Sequence, residues 1–112
     1  MSPQSMYGPY PAIVTNVHDG DTMTLAIDLG FGIITRSNCR IFGINAPELS
    51  TPEGKQARDY ALTLVKPDDQ VVVVSKGWDK YGGRFDGVVT LLDGRDFAKL
   101  MLDSGHAVPL HV

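Results

Sequence analysis

One cysteine, one tryptophan and no apolar run longer than a strand mark this 112-residue sequence, and each scarcity closes a class of explanation. Cys39 alone rules out an internal disulfide framework and any cysteine-rich metal site. It sits in a strand-like stretch, where a buried, inert thiol is expected. The longest apolar runs, "VVVV" from Val71 and "VVTLL" from Val88, are strand-sized, so no membrane-spanning helix is expected. An excess of positive charge is also missing. Ten Lys and Arg against thirteen Asp and Glu leave a formal charge of −3, which argues against a protein that coats nucleic acid by bulk electrostatics. A local cationic site stays open, because steering depends on where charges stand. There is no fixed-period repeat and no low-complexity tract. The opening "MSPQSMYGPYP" lacks the basic start and apolar block of a signal peptide. Its Pro, Gly and Ser content predicts a loose leader over residues 1–11, followed by one domain over 12–112. The expected location is cytoplasmic, secreted only if a leader has been removed.

What remains is an ordinary globular composition, 43% hydrophobic and 21% charged, in a chain of single-domain length. Ala12 to His18 is apolar and β-branched, a first strand. Met23, Leu25, Ile27 and Leu29 alternate with Thr22, Thr24, Ala26 and Asp28, the period of a half-buried second strand. "GFG" at Gly30–Gly32 breaks it, and a third extended run covers Ile33 to Ile44. The period then changes. Ala57, Tyr60, Ala61, Leu64 and Val65 share one helical face; Ser50 or Thr51 can cap its start, Pro52 and Glu53 suit its first turn, and Pro67 stops it. Strands follow at Gln70–Lys76 and Phe85–Leu92. Phe97, Leu100 and Met101 mark a last helix, with Gly105 as its C-terminal cap. Five short strands with the main helix between the third and fourth predict a mainly β chain, the OB-fold barrel with a C-terminal helix.

Chemistry concentrates in "DGDT" at Asp19–Thr22, "RIFGINAPE" at Arg40–Glu48 and "DKYGGR" at Asp79–Arg84. Singly, each has a bland reading: an acidic hairpin turn, a solvated strand arginine, a glycine-rich loop. The acids lack the spacing of a helix–loop–helix calcium loop, and no phosphate-cradling glycine loop is present. Together they supply what phosphodiester cleavage requires. Asp21, the Asn45 side chain and nearby carbonyls offer hard oxygen ligands to a divalent cation. Glu48 offers a carboxylate to activate water. Arg40 and Arg84 offer two guanidiniums to grip phosphate oxygens and stabilise developing charge.

On these three motifs, in this order, the sequence resembles the staphylococcal nuclease (thermonuclease) family across roughly Ala12 to Ala107. The resemblance implies the same barrel and a nuclease that cleaves DNA and RNA with Ca2+, leaving 3′-phosphate ends. It implies Asp21 as a calcium ligand, Asn45 at the second ligand position and Ala46 as a ligand through its backbone carbonyl. Glu48 matches the general base, Arg40 and Arg84 the phosphate-binding arginines, and Lys80 and Tyr81 the loop residues that contact phosphate or nucleotide. Asp19 is expected near the metal, behind its direct ligands. Three features depart from the family pattern. Asn45 stands where aspartate is usual, so weaker calcium binding is expected. "DKYGGR" carries one extra glycine, and the arginine is placed at Arg84 by its distance from Asp93 and Gly94. The chain ends soon after its second helix, and self-association could replace the surface that a further helix supplies elsewhere in the family.

The remaining polar and aromatic residues take plainer readings. Glu53 is a helix-start charge. His18, His106 and His111 have no ligand spacing and are assigned to the surface or tail. Tyr60 and Trp78 are core or barrel-rim groups, Trp78 with base stacking as its lesser alternative. Arg36, Arg58 and Arg95 have no motif behind them. The rival to a nuclease is a barrel of the same fold that binds nucleic acid or protein without cutting, since fold does not settle function.

Overall fold

Period-two patterning becomes strand and period-3.6 patterning becomes helix in the order expected. The structure, a computed structural model, describes residues 7–110. These run β1 (Tyr7–Asp19), β2 (Thr22–Asp28), β3 (Ile34–Ile41), β4 (Ile44–Asn45), α1 (Pro52–Leu64), β5 (Gln70–Trp78), β6 (Phe85–Leu91), α2 (Phe97–Asp103) and β7 (Val108–Pro109). β1 pairs antiparallel with β2 and β5, β2 with β3, and β5 with β6. A parallel contact between β3 and β6 closes the barrel in the order β1-β2-β3-β6-β5 through Cys39 opposite Phe85, Arg40 opposite Asp86 and Ile41 opposite Gly87. With α1 between the third and fourth barrel strands, this is the OB-fold arrangement.

Inward residues of every barrel strand form the core: Val14 and Val17, Met23 and Leu25, Cys39 and Ile41, Val71 and Val73, Phe85 and Val89 are all buried. Burial pushes the Cys39 thiol up to about 12, so it is inert at physiological pH, as expected for a packed cysteine. The helices plug the barrel with Ala57, Ala61, Phe97 and Met101. Among the described residues, no helix is long and apolar enough to cross a membrane.

Two expectations need correction. β1 begins at Tyr7 and not near Ala12, because Tyr7, Tyr10 and Pro11 continue the pairing with β5 opposite Ser75, Val73 and Val72. Residues of the expected leader from Tyr7 onward therefore belong to the barrel. The third extended run does not continue to Ile44 as one strand. It breaks after Ile41 at Phe42–Gly43, where Gly43 takes the left-handed backbone at φ +86°, and resumes as β4. β4 pairs with β7 in a separate two-stranded ribbon, tying the segment after α2 back to the chain beside Asn45.

Two glycines allow the close approaches that position the site. Gly20, between the two acids of the first turn, does not have a positive φ. A Cβ there would lie 2.8 Å from Ala46 Cβ, 3.1 Å from Ala57 Cβ and 3.2 Å from Met101 Cε, so the turn is wedged among three other segments. Gly54, in the first turn of α1, would place a Cβ 1.8 Å from the Glu48 carbonyl oxygen. Thr51 completes the joint. Its hydroxyl donates to the Glu48 carbonyl at 2.7 Å and accepts from the Gly54 amide at 3.0 Å, capping α1.

Gly54→Ala separates local propensity from this packing. Propensity in a helix favours alanine over glycine by about 1 kcal/mol. The collision with the Glu48 backbone should reverse the sign and destabilise the fold by about 1–3 kcal/mol, as overpacking does. Urea unfolding reads the difference, and a stabilised Gly54→Ala chain would refute the packing account.

Candidate active site

The site is built around Asp21, whose carboxylate is buried at the end of the first turn with only 7% of the residue exposed. Its Oδ1 accepts from the Thr22 hydroxyl at 3.0 Å, and its Oδ2 accepts from the Ala46 amide at 2.8 Å. Arg40 Nη1 lies 3.5 Å from the same Oδ2. The Asp21 carbonyl accepts from the Ile41 amide at 2.8 Å, and the Asp21 amide donates to Asp19 Oδ1 at 3.0 Å. A buried carboxylate requires such partners, since an isolated charge taken out of water is costly. One side chain therefore gathers the first turn, the end of β3 and the segment after β4. Burial comes first among the causes that raise the Asp19 carboxyl above its ordinary value, followed by the Asp21 side chain beside it, while the bond from the Asp21 amide works the other way.

Arg40 turns this joint into a site. Besides Asp21, its Nη1 donates to the Ile44 carbonyl at 2.9 Å and the Ile41 carbonyl at 3.3 Å, and its Nη2 donates to Asn45 Oδ1 at 3.2 Å. Oxygens of Asp21, Ile44 and Asn45 thus converge on one cationic group. Carboxylate, amide and carbonyl oxygens of this kind suit a hard divalent cation, with water completing its shell. In donor chemistry, therefore, Asp21 and Asn45 fit a calcium ion. The set is low in charge, and among the described residues no three Asp, Glu, His or Cys side chains gather as a metal-binding group. The Ala46 contact seen is through its N–H to Asp21, while its expected metal contact is through the carbonyl.

Arg40 also lines a pocket of about 590 Å³ whose wall includes Arg84, Asp79, Asp86, Lys80 and Tyr81. Arg84, placed by sequence despite the extra glycine, therefore shares a cavity with Arg40. Its Nε lies 3.5 Å from Asp79 Oδ2, and its carbonyl accepts from the Asp79 amide at 2.9 Å. Asp79 is buried, and the Tyr81 amide donates to its Oδ1 at 2.8 Å. That bond, with help from Asp86 and Arg84, holds the Asp79 carboxyl below its ordinary range. Asp86 goes the other way, raised first by burial and then by its hydrogen bond to Asp79 and that group's charge. Two neighbouring carboxyls that push each other's titration in opposite directions thus sit under the influence of both guanidiniums.

Glu48 is joined to this assembly through its backbone. The Thr51 amide and hydroxyl both bind the Glu48 carbonyl, whereas its exposed carboxylate makes no hydrogen bond or ion pair among the described residues. It is not part of the pocket wall. Lys80 and Tyr81 are both exposed at the pocket rim, the ammonium 5.2 Å from the centre of the tyrosine ring. Other side chains settle into structural work. Arg58 Nε donates to the Val17 carbonyl at 3.2 Å, and Arg95 pairs with Asp93 on the surface. Tyr60 stacks on His106 with ring centres 4.8 Å apart, so His106 is half-buried rather than a plain surface group. His18 is exposed, and His111 lies outside the described residues.

Sequence reasoning missed Asp79, Asp86 and Gly54. Asp79 opens the "DKYGGR" motif without a role assigned to it there, Asp86 lies outside the motifs, and only the parallel β3–β6 contact sets Asp86 opposite Arg40. For Asp86 the available signal was an acidic residue inside an otherwise apolar strand, "FDGVV"; for Asp79 it was the motif itself.

Among known families, one described as staphylococcal nuclease homologue matches residues 38–112, a range that holds Arg40, Asn45, Glu48 and Arg84 but not the first turn. A Bacillus subtilis (strain 168) protein named Endonuclease YhcR is 33% identical over 102 residues, covering 80% of this chain. The match spans only 8% of that relative's own length.

The carboxyl pair makes a pH prediction. The folded Asp86 carboxyl titrates above its ordinary value of 3.8. Its stabilising contribution is therefore complete below that value and lost as pH rises through the raised folded one. Asp86→Asn keeps a hydrogen-bonding group for Asp79 but cannot ionise. The variant should melt above the parent near neutral pH, with the gap closing as pH falls toward 3.8. Thermal unfolding across a pH series measures this, and a gap independent of pH would contradict it.

Proposed function

Because the chain belongs to the staphylococcal nuclease homologue family, we propose that it is a calcium-dependent nuclease hydrolysing phosphodiester bonds of DNA, RNA or both. The observation that carries this reading is the double role of Arg40. It is bonded to the Asp21–Asn45 oxygen set and also lines the pocket that contains Arg84. A phosphate in that pocket would meet both guanidiniums. Three hydrogens of Arg40 are committed to Ile41, Ile44 and Asn45, which leaves Nε and one Nη2 hydrogen of its fork. Arg84 meets Asp79 through Nε, so both its Nη groups stay available among the described residues. The fork geometry of each arginine matches phosphate oxygens bidentately.

In this reaction Glu48 takes a proton from water, whose oxygen attacks phosphorus, and the 5′ oxygen of the next nucleotide leaves. Charge builds on the phosphate oxygens as the bond forms, and the guanidiniums stabilise it most at that stage, which is what accelerates a reaction. The open, unpaired Glu48 carboxylate is accessible to water, and its backbone is held by Thr51 against Gly54. Calcium, held by Asp21 and Asn45, would supply further positive charge beside the phosphate. Asp79 would keep Arg84 aimed into the pocket.

The rival reading, a barrel that binds nucleic acid without cutting, rests on the same arginine. Arg40 already occupies the oxygens a cation would use, so the two must share them. Digestion separates the readings. Plasmid DNA and a defined RNA should be cut with calcium and spared with chelator. Glu48→Gln should cut about a hundred- to ten-thousand-fold more slowly, the loss typical of a missing general base. No cutting in any of the three would leave the binding module standing and the enzyme refuted, and equal cutting in all three would refute the roles of calcium and Glu48.

A further inference from the structure

β3 is paired along only part of one side. It runs antiparallel to β2 from Ile34 to Arg40, but β6 meets it only at Cys39–Ile41. On that side Ile34–Asn38 has no strand partner among the described residues. Two bonds give the direction of its backbone groups. The Leu29 amide donates to the Ile33 carbonyl at 2.9 Å, and the Ile41 amide to the Asp21 carbonyl at 2.8 Å. Antiparallel bonding alternates along a strand, so odd-numbered residues of β3 bond β2. The N–H and C=O groups of Ile34, Arg36 and Asn38 therefore face the open side. The barrel also gapes here: Thr35 and Ser37, on the inward face with Cys39 and Ile41, are only half-buried.

An open edge is a template for another strand, and proteins usually blunt one with proline, a bulge or a charge. This edge has no proline and no register shift against β2. Its apolar side chains stand in water: Ile33 is 54% exposed, Ile34 63%, and Phe31 at the hairpin tip 86%. Arg36 is the one charge on it. On the outer face Arg36 stands opposite Ala26, and Ile34 opposite Asp28. Neither Arg36 nor Asp28 has an ion-pair partner among the described residues. Asp28 uses one oxygen to accept from the Gly30 amide at 2.8 Å, which leaves the other open to solvent.

We infer that this edge is an interface between two copies of the chain, β3 pairing antiparallel with β3 of a second copy about a two-fold axis at Thr35. The parity of the open groups admits only registers that set even residues opposite even residues. Centred on Thr35, Ile34 faces Arg36 of the second copy and Arg36 faces its Ile34, which closes four backbone hydrogen bonds. The two Thr35 side chains meet as a favourable cross-strand pair. On the outer face each guanidinium lies across Ile34 from Asp28. Their backbones are two strand spacings apart, about 10 Å, a gap that arginine and aspartate side chains together span. Symmetry makes this ion pair twice. Centred on Arg36, the two guanidiniums would stand directly opposite each other, which is unfavourable. Centred on Ser37, Arg36 would face Asn38, behind which stands Thr24 and no carboxylate. Charge thus selects both the occupant and the register. Arg40 lies beyond the paired stretch, where β3 meets β6, so both candidate sites stay open.

Sedimentation equilibrium of the full chain should show the mass rising from 12.2 kDa toward twice that as concentration increases. A mass fixed at 12.2 kDa up to about 1 mM, the weak end of specific affinity, would overturn the interface. Arg36→Asp should weaken the dimer by about tenfold or more, and adding Asp28→Arg to the same chain should recover most of the loss. Mild oxidation reads the register. Opposed residues of a non-hydrogen-bonded pair lie about 4.5 Å apart at Cα, within disulfide reach, so Thr35→Cys should give covalent dimers. The two copies of position 37 would be offset by about 13 Å, so Ser37→Cys should not crosslink. No loss with Arg36→Asp, no recovery in the double variant, or crosslinking of Ser37→Cys in place of Thr35→Cys would each overturn the pairing. The melting temperature of each variant separates a lost dimer from a lost fold.

Discussion

A single buried carboxylate holds the site together. Asp21 reaches the Ala46 amide, the Arg40 guanidinium and its own neighbour Thr22, and these contacts bring together segments that are distant in sequence. Removing it would leave the Ala46 amide without its acceptor and Arg40 without its nearest charge. Breaking a buried pair in this way is strongly destabilising, because the remaining group stays out of water unpaired. The same carboxylate is the charged member of the oxygen set that suits a cation, so stability and proposed chemistry depend on one residue.

Around that carboxylate, small residues set the distances. Gly20 lets the first turn settle among Ala46, Ala57 and Met101, and Gly54 lets the Glu48 backbone lie against α1. The acidic turn is thus more than a hairpin connection. Its glycine is demanded by close approach, and its second acid is turned inward to meet Ala46 and Arg40. On the other side of Arg40, the parallel closure of β3 on β6 brings in Asp86, then Asp79 and Arg84. Arg40 stands between an oxygen-rich half that suits a cation and a pocket that suits a phosphate.

Much of this was legible in the residues themselves. Strong periods fixed β2, α1 and α2, and the Thr51 cap with Pro52 behind it set the start of α1. Where pattern was weak, boundaries moved. Tyr7–Pro11, rich in residues that usually mark loops, is strand because β5 offers a partner. The Phe42–Gly43 turn was hidden inside an apolar run, and β7 is too short to carry a period. The site divided in the same way. Residues within motifs could be named, and Asp21, Arg40 and Asn45 do converge. Asp86 gains its meaning only from strand closure, Asp79 from the fold of its own loop onto Arg84, and the exposure of Trp78 from where β5 ends. Contacts between distant segments leave no local pattern to read.

The bond from the Ala46 amide to Asp21 Oδ2 is the most direct point at which to test whether these segments form one site. Hydrogen exchange followed by NMR should find the Ala46 amide strongly protected in the parent chain. That protection should be lost in Asp21→Ala, while core amides such as those of Val73 and Val89 remain slow. An Ala46 amide that exchanges as fast as an open loop in the parent, or that stays protected without Asp21, would contradict the account.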